Sequence, residues 1–311
     1  MAAPVGVGPP PVERAPRPPA RVAAGGVRML AGIPYAGLPG ARPLELDLWL
    51  PPDSAEPTER PFPAVVFLHG GGWRMGSRHG AGPAYAGASP HPFELVAQAG
   101  IVVASVDYRL SGEAIFPAQL HDAKAAVRWL RARAAEIGVD PERIAAWGES
   151  AGGHLALLLG LTGGVAGLEG SVGVPGSSAV AAVAAWYAPS DFLALPADLG
   201  ADSRDAGTRE AMLLGAPAAT VPERAAHAGP ISHVSADAPP ILLLHGRADR
   251  AIPAVQSERL HTALVAAGAD ARLHLYDGAD HMWLGSDRGA AADAVTRTIV
   301  FLHHHLSGEP S

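Results

Sequence analysis

Cysteine is absent from the 311 residues of this sequence, and its absence excludes disulfide bonds, thiolate metal sites and a cysteine nucleophile. Lysine is nearly absent, since Lys124 is the only one among 23 lysines and arginines. These basic residues face 30 acidic ones, which gives a formal charge of −7. A surface of that sign repels a phosphate backbone, so we expect no nucleic-acid partner.

Long apolar runs are missing as well. No stretch approaches the roughly 18 uninterrupted apolar residues of a membrane-spanning helix, so no membrane span is predicted. Residues 1–28 are rich in proline and alanine and lack the apolar segment of a signal peptide, which predicts a flexible leader and a cytoplasmic location. Residues 29–311 are then predicted to form one domain, because a hydrophobic content of 48% supplies a large core.

Strand and helix patterns alternate within that domain. Apolar runs of strand length recur at residues 64–68, 101–106, 144–147, 180–186, 241–244 and 273–276, after an alternating pattern at 44–50. Helical periodicity lies between them, at residues 118–135, 254–267 and 290–306. This order predicts an α/β fold with a mostly parallel sheet and helices on both faces. Residues 191–235 break the alternation and indicate a small insertion over the site.

Residues 148–152, with the sequence GESAG, stand between the apolar run 144–147 and a leucine-rich helical segment. A G-x-S-x-G sequence between a strand and a helix is typical of the nucleophile elbow of serine hydrolases. The tight turn forces the serine into a strained backbone conformation, and small flanking residues let the strand and the helix approach each other. Ser150 is therefore the predicted nucleophile.

Candidates for the base and the acid follow two later strands. Active sites of parallel sheets lie at the carboxyl ends of the strands, where Asp249 and His281 would meet Ser150. His281 can take the serine proton as general base, and Asp249 can orient its imidazole ring. Asp280 is an alternative acid, but neighbours in sequence rarely face each other at a turn. The order serine, aspartate, histidine is also that of the α/β-hydrolases.

A glycine-rich loop, HGGGW at residues 69–73, follows the run 64–68. Negative charge that develops on the acyl oxygen needs preorganised donors, and loss of one costs ~10²- to 10³-fold in rate. The backbone N–H groups of Gly71, Gly72 and Ala151 are predicted to form this oxyanion hole, as HGGG-type loops do in lipases and esterases.

These motifs carry a resemblance to a known family. The sequences HGGGW at 69–73, DYRLS at 107–111 and GESAGG at 148–153 resemble the hormone-sensitive-lipase-like branch of the α/β-hydrolases. Within that branch the chain is most similar to bacterial bifunctional feruloyl and acetyl xylan esterases. The likeness extends over residues 44–306, which is nearly the whole predicted domain.

The resemblance implies an α/β-hydrolase fold in which Ser150, Asp249 and His281 form a catalytic triad. It further implies hydrolysis of small carboxylic esters, with short acyl groups such as acetyl or with feruloyl, through an acyl-enzyme intermediate and without a cofactor. One alternative is an amidase of the kynurenine formamidase type, whose His-Gly-Gly-x-Trp loop is similar. Another is a non-catalytic ligand-binding protein on the same fold, although such proteins have lost the histidine that His281 supplies here.

Aromatic residues make up only 5% of the chain, but several follow strand ends. Trp73, Tyr187 and Trp283 are predicted to line an acyl or alcohol pocket near Ser150. The concentration of rings at the expected mouth of the site is the basis of this prediction.

Other polar residues near the motifs have structural explanations. We expect His69 to hold the glycine loop by a hydrogen bond, Glu149 to be an exposed or helix-terminal acid, and Asp107 to pair with Arg109 or to cap a turn. The three consecutive histidines at 303–305 point about 100° apart on a helix, so they cannot converge on one ion. No metal site is predicted.

Overall fold

The computed structural model describes residues 14–52, 61–286 and 288–307. Its centre is a nine-stranded sheet in the order β1-β2-β3-β5-β4-β6-β7-β8-β9. The strands are β1 Arg21–Val22, β2 Arg28–Ala36, β3 Leu44–Leu50, β4 Phe62–Leu68, β5 Val102–Val106, β6 Val139–Glu149, β7 Val183–Trp186, β8 Ile241–Gly246 and β9 Ala271–Tyr276.

The sheet is antiparallel at one edge and parallel elsewhere. Strands β1, β2, β3 and β5 pair antiparallel in succession, whereas the pairs from β5 through β4 to β9 are parallel. In the parallel part Leu68 lies opposite Gly148, and Glu149 lies opposite Trp186. The carboxyl ends of β4, β6 and β7 therefore meet at one edge, and the predicted, mostly parallel sheet is confirmed.

Helices cover both faces of the sheet. Alternate residues of β4 divide between two cores, with Val66 packed on the side of α2, α4 and α8 and Phe67 on the side of α1 and α9. The helices are α1 Pro92–Gln98, α2 Ala118–Ala132, α3 Ala134–Ile137, α4 Ala151–Leu161, α5 Leu195–Asp198, α6 Arg209–Leu214, α7 Pro222–Ala228, α8 Val255–Ala267 and α9 Arg288–Leu306. Within the described ranges, no helix combines the length and the hydrophobicity that a membrane span requires.

Two further segments frame the sheet. The short helices α5, α6 and α7 occupy the region between β7 and β8, where the break in alternation predicts an insertion. Of the expected leader, residues 1–13 lie outside the described part of the chain. Its later residues join the sheet edge, since Arg21 pairs with Met29 of β2, and the Arg133 side chain donates to the Ala15 carbonyl at 3.1 Å.

Candidate active site

Ser150 stands between the last residue of β6 and the first residue of α4, with φ 51° and ψ −118°. A non-glycine residue in this region costs about 1–3 kcal/mol, and such strain is typical of functional sites. The Ser150 N–H donates to the Trp186 carbonyl at 2.8 Å, and the Ser150 carbonyl accepts from the His154 N–H at 2.9 Å. Backbone bonds on both sides thus hold the strained turn.

The flanking glycines of the G-x-S-x-G sequence are required by close backbone contacts. A Cβ atom on Gly148 would lie 2.3 Å from the Gly152 carbonyl oxygen, and one on Gly152 would lie 2.0 Å from the Leu68 carbonyl oxygen. Real Cβ atoms do not approach backbone atoms so closely. The small residues therefore allow β6 and α4 to meet at the sharp turn that presents Ser150.

Ser150, His281 and Asp249 form a continuous hydrogen-bonded chain, as the sequence predicts for their positions. Ser150 Oγ lies 3.0 Å from His281 Nε2, and His281 Nδ1 lies 2.7 Å from Asp249 Oδ2. Since a carboxylate can only accept, Nδ1 carries the proton and Nε2 is left to accept the serine hydroxyl. All three residues are buried apart from a small exposed fraction, which is 8% for Ser150.

Asp249 is held as a carboxylate by several donors. The N–H groups of Ala251 and Ile252 donate to Asp249 Oδ1 at 2.9 and 2.8 Å. Burial raises the pKa of Asp249, but the hydrogen bonds from His245 and His281 outweigh it and keep the pKa below its usual range. The charge needed to orient His281 and to stabilise its imidazolium form is therefore present.

His245 is a contact of Asp249 that sequence reasoning missed. It is fully buried, and its Nε2 lies 3.2 Å from Asp249 Oδ2 and 2.8 Å from the Ile252 carbonyl oxygen. Because both of these atoms accept, Nε2 carries a proton, and Nδ1 accepts from the Ser257 hydroxyl at 2.7 Å. Its position near the carboxyl end of β8, four residues before Asp249, is the signal that could have identified it.

Asp280, the alternative acid, has other partners. Its Oδ1 atom accepts from the N–H groups of His281 and Arg250 at 2.8 and 2.9 Å, and the Arg250 guanidinium donates to its second oxygen at 2.7 Å. The His281 ring instead donates its Nδ1–H to Asp249. The preference for Asp249 over Asp280 thus agrees with the geometry.

The glycine loop lies beside Ser150 in a conformation that favours glycine. Gly71 and Gly72 have φ values of 114° and 60°, and a Cβ on Gly71 would lie 2.1 Å from the Met75 carbonyl oxygen. Among the described residues, no acceptor is hydrogen-bonded to the backbone N–H of Gly71, Gly72 or Ala151. Gly71, Gly72 and Ser150 border one cavity, so donors and nucleophile face the same space.

His69 fixes the start of this loop, as predicted. Its Nδ1 donates to the Gly70 carbonyl at 2.7 Å, its ring stacks on Tyr108 at 4.3 Å, and the Tyr108 hydroxyl donates to the His69 carbonyl at 2.8 Å. Burial lowers the pKa of His69 to about 4, so the ring is neutral at pH 7. His69 is therefore part of the scaffold under the loop.

Glu149 is buried beneath the loop, and the expectation that it is exposed is wrong. Only 4% of it is accessible, its Oε1 accepts from the Gly70 N–H at 3.2 Å, and its Oε2 accepts from the Tyr187 hydroxyl at 2.6 Å. Burial raises its pKa, and these two hydrogen bonds offset the rise in part. The strand β6 continues through Glu149, and this extension points the side chain inward, below the glycines.

The aromatic residues predicted to line the pocket lie elsewhere. Trp73 is 1% exposed and its indole N–H donates to His154 Nδ1 at 3.2 Å. Tyr187 is equally buried, with its ring packed on His281 at 4.8 Å, and Trp283 borders a separate cavity with Tyr85. The prediction is corrected for all three residues, because burying a large ring in the interior is more favourable in free energy than leaving it exposed at the mouth of the site.

Two cavities instead meet at Ser150, and both are bordered by Gly71, Met75 and Met282. One has a volume of about 380 Å³ and is completed by Gly72, Arg74, Arg209, Ala251 and His281. The other has a volume of about 610 Å³ and is lined largely by the segment 76–87 together with His69, Gly70, His91 and Glu149. Glycine, methionine and arginine thus border the smaller cavity, whereas Tyr85 and three histidines are the rings that line the larger one, in place of the three predicted aromatic residues.

Asp107 and Arg109 do not form the expected pair. The Arg78 N–H donates to Asp107 Oδ1 at 2.8 Å, whereas the Arg109 guanidinium donates to Asp122 of α2 at 2.7 Å. Asp122 is fully buried, so it needs the compensating cation that Arg109 provides. In the described part of the chain, no cluster of residues is suited to hold a metal ion.

The sequence of this chain matches a known family and is similar to known esterases. Residues 46–264 match the BD-FAE family. Esterase LipQ of Mycobacterium tuberculosis is 32% identical over 247 residues, which cover 76% of this chain and 53% of LipQ. The chain spans about half the length of the curated relatives it matches.

Solved structures show the same architecture. A truncated carbohydrate esterase from gut microbiota is 31% identical with a TM-score of 0.75, over 90% of this chain and 96% of that chain. Esterase 2 of the planctomycete Thermogutta terrifontis, with propionate bound, is 27% identical with a TM-score of 0.67, over 92% and 97% of the two chains. The predicted α/β-hydrolase fold is confirmed.

Proposed function

The chain belongs to the BD-FAE family, and on that premise we propose that it is a serine esterase acting on small carboxylic esters through an acyl-enzyme intermediate. One observation carries the proposal. Ser150 Oγ, the His281 ring and Asp249 are linked at 3.0 and 2.7 Å, and Ser150 and His281 border a cavity that Gly71 and Gly72 of the glycine loop also border. This is the arrangement that acyl transfer from an ester requires.

In the first half of the reaction, His281 Nε2 takes the proton of Ser150 Oγ as the oxygen attacks the ester carbonyl carbon. The carbonyl oxygen becomes an anion, which the N–H groups of Gly71, Gly72 and Ala151 stabilise by hydrogen bonds. The carbon–oxygen bond to the alcohol then breaks, and the alcohol leaves with the proton from His281.

In the second half, water takes the place of the alcohol. His281 removes one of its protons, the hydroxide oxygen attacks the acyl carbon, and the acyl–serine bond breaks as the proton returns to Ser150 Oγ. The carboxylic acid is released and the enzyme is restored. The ionised Asp249 stabilises the imidazolium that forms in each half.

We propose short acyl groups, acetyl or propionyl, as the preferred acyl part. The support is the modest size of both cavities at Ser150, about 380 and 610 Å³, and the similarity to an esterase solved with propionate bound. A panel of p-nitrophenyl esters from acetyl to octanoyl, together with methyl ferulate, tests this choice. A maximum of kcat/KM at octanoyl or at ferulate would contradict it.

The test of the proposed activity is hydrolysis of p-nitrophenyl acetate by the wild type and by Ser150→Ala. We expect the substitution to lower kcat by at least ~10³-fold while leaving the unfolding transition in place. A variant that keeps near wild-type hydrolysis would overturn the proposal. Turnover of N-formylkynurenine in preference to acetyl esters would assign the same residues to an amidase.

A further inference from the structure

The smaller cavity at Ser150 has an unusual charge distribution. Among the described residues that line it, Arg74 and Arg209 carry positive charge, and no carboxylate side chain is present. This contrasts with the formal charge of −7 for the whole chain. Two arginines therefore border the same cavity as Ser150 in a protein that is acidic overall.

Arg209 is fixed at the wall of this cavity. Its aliphatic stem lies against the oxyanion loop, since a Cβ on Gly72 would be 3.0 Å from Arg209 Cδ. Its Nη2 donates to the Ala251 carbonyl at 3.1 Å, and its Nε lies 3.1 Å from Glu210 Oε1. One third of the side chain, 33%, stays exposed. Arg209 is thus anchored at the cavity that Ser150 borders, paired with Glu210 and with part of its side chain exposed.

Arg74 supplies a charge that nothing in the described ranges neutralises. It is exposed, and no described carboxylate lies within ion-pair distance of its guanidinium. Its own backbone is fixed by the hydrogen bond from its N–H to the Gly71 carbonyl at 3.3 Å. The side chain therefore extends from a defined point on the loop next to Ser150.

The chemistry decides which part of the substrate enters this cavity. His281 Nε2 must donate its proton to the departing alcohol oxygen, so the alcohol has to lie on the His281 side of Ser150. His281 lines the cavity that contains Arg74 and Arg209, whereas the larger cavity is bordered by Glu149 and lacks His281 among its described lining residues. The two arginines therefore face the alcohol part of the ester.

We propose that the enzyme selects esters whose alcohol part carries a carboxylate, which Arg74 and Arg209 recognise. The inference rests on the proposed esterase function and specifies its substrate class. Guanidinium groups match a carboxylate with two parallel N–H donors, and they remain charged throughout the working pH range. A carboxylate on the acyl part would instead approach the buried Glu149, which repels it whenever both are ionised.

The experiment compares 4-acetoxybenzoate with its neutral methyl ester, methyl 4-acetoxybenzoate. Both release acetate from a phenol, but only the first carries a carboxylate on the alcohol part. The measured quantity is the ratio of kcat/KM for the charged substrate to that for the neutral one, so differences in intrinsic reactivity cancel between variants. The variants are Arg74→Gln and Arg209→Gln, with Arg272→Gln as a matched control, because Arg272 lies on β9 and is 54% exposed.

We expect the ratio to fall by ~3- to 10-fold in Arg74→Gln and in Arg209→Gln, and to stay at the wild-type value in Arg272→Gln. The contact is made equally in the ground state and the transition state, so the loss belongs mainly to KM. High salt should lower the wild-type ratio as well, because it screens an exposed charge pair.

A ratio that is the same within twofold in all four proteins would overturn the inference, while serine-dependent hydrolysis of p-nitrophenyl acetate would still support the esterase function. Absence of hydrolysis for all three esters would overturn both proposals together. Arg74→Gln keeps the test decisive if Arg209→Gln does not fold, since Arg74 is exposed and makes no ion pair among the described residues.

Discussion

The open space above Ser150 differs from the packed aromatic rings beneath it. These rings, called the floor below, are Trp147, Trp186, Tyr187 and Trp283. Above Ser150 lie two open cavities, both bordered by Gly71, Met75 and Met282, and two arginines complete the smaller one. Beneath it lies a continuous set of buried rings, with Tyr187 packed on His281 at 4.8 Å and on Trp283 at 4.7 Å. The buried rings pack around His281, whereas glycine, methionine and arginine residues border the space in which the proposed substrate would bind.

The floor combines contacts between aromatic rings with a buried hydrogen bond to a neighbouring helix. Trp147 and Trp186 contact each other at 4.9 Å, and the Trp186 indole N–H donates to Thr298 of α9 at 3.0 Å. Such aromatic pairs add about 0.5–1.5 kcal/mol beyond the area they bury. A substitution in the catalytic groups should thus affect turnover alone, whereas one in the floor should affect both turnover and stability.

The largest effect separates the two aspartates near His281. Asp249→Asn should lower kcat by ~10⁴-fold, because an amide in place of the carboxylate favours the wrong imidazole tautomer. Asp280→Asn is the matched control and should cost less than ~10-fold, since Asp280 bonds to backbone and to Arg250. Steady-state kinetics with p-nitrophenyl acetate measures both. The reverse order of effects would show that the acid has been misassigned.

An intermediate effect is expected from the floor. Tyr187→Phe removes the 2.6 Å hydrogen bond that the Tyr187 hydroxyl donates to Glu149. The Glu149 carboxylate also accepts from the Gly70 N–H at the start of the oxyanion loop, so the substitution frees one side of that contact. We expect kcat to fall by ~3- to 10-fold through a displaced loop, and stability to fall by about 2 kcal/mol. Enzyme kinetics and urea unfolding provide the two readouts.

Tyr276→Phe is the control for this substitution, because Tyr276 also donates to a carboxylate, Asp293, at 2.9 Å but lies at the end of β9. It should leave kcat within twofold of wild type. Equal losses of kcat in the two variants would mean that any lost tyrosine hydroxyl disturbs the enzyme, and that the floor has no special role.

The smallest effect on activity, with a clear effect on stability, concerns His154 of α4. Burial lowers the pKa of His154 to about 4, and its ring accepts from Trp73 while its Nε2 donates to the Ala228 carbonyl at 2.7 Å. In the unfolded chain the His154 ring takes up a proton near its ordinary pKa of about 6.5. The contribution of the neutral, buried His154 to the free energy of unfolding is therefore complete above pH 6.5 and is lost as the pH falls towards 4.

The difference in the pKa of His154 between the folded and the unfolded chain should lower the free energy of unfolding by about 2 kcal/mol at pH 4.5 relative to pH 7. His154→Gln retains a donor and an acceptor but cannot take up the proton, so its free energy of unfolding should depend less on pH. Urea unfolding at the two pH values measures the difference. Parallel pH profiles for wild type and variant would contradict the assignment, and kcat at pH 8 should change less than twofold.

Local motifs and the order of the strands were sufficient to predict which side chains meet at the site. Ser150, Asp249 and His281 each follow a strand, and parallel pairing brings the carboxyl ends of β6, β8 and β9 to one edge. The glycines around Ser150 were equally readable, because a sharp turn between strand and helix excludes a Cβ atom.

Long-range packing could not be read in the same way. Whether Glu149 faces solvent depends on where β6 ends relative to the glycine loop, and whether Trp73 lines the pocket depends on His154 and Phe192, which pack against its ring. The contact of His245 with Asp249 likewise arises from the fold of the turn between them. Such contacts join residues whose spacing carries no pattern.

Ser150 is proposed to be an activated nucleophile, and labelling with a fluorophosphonate probe reports on that reactivity without a substrate. Intact mass and peptide mapping should show one phosphonyl adduct, on Ser150, in the wild type, and none in Ser150→Ala. An adduct on another serine, or equal labelling of the two proteins, would contradict the account.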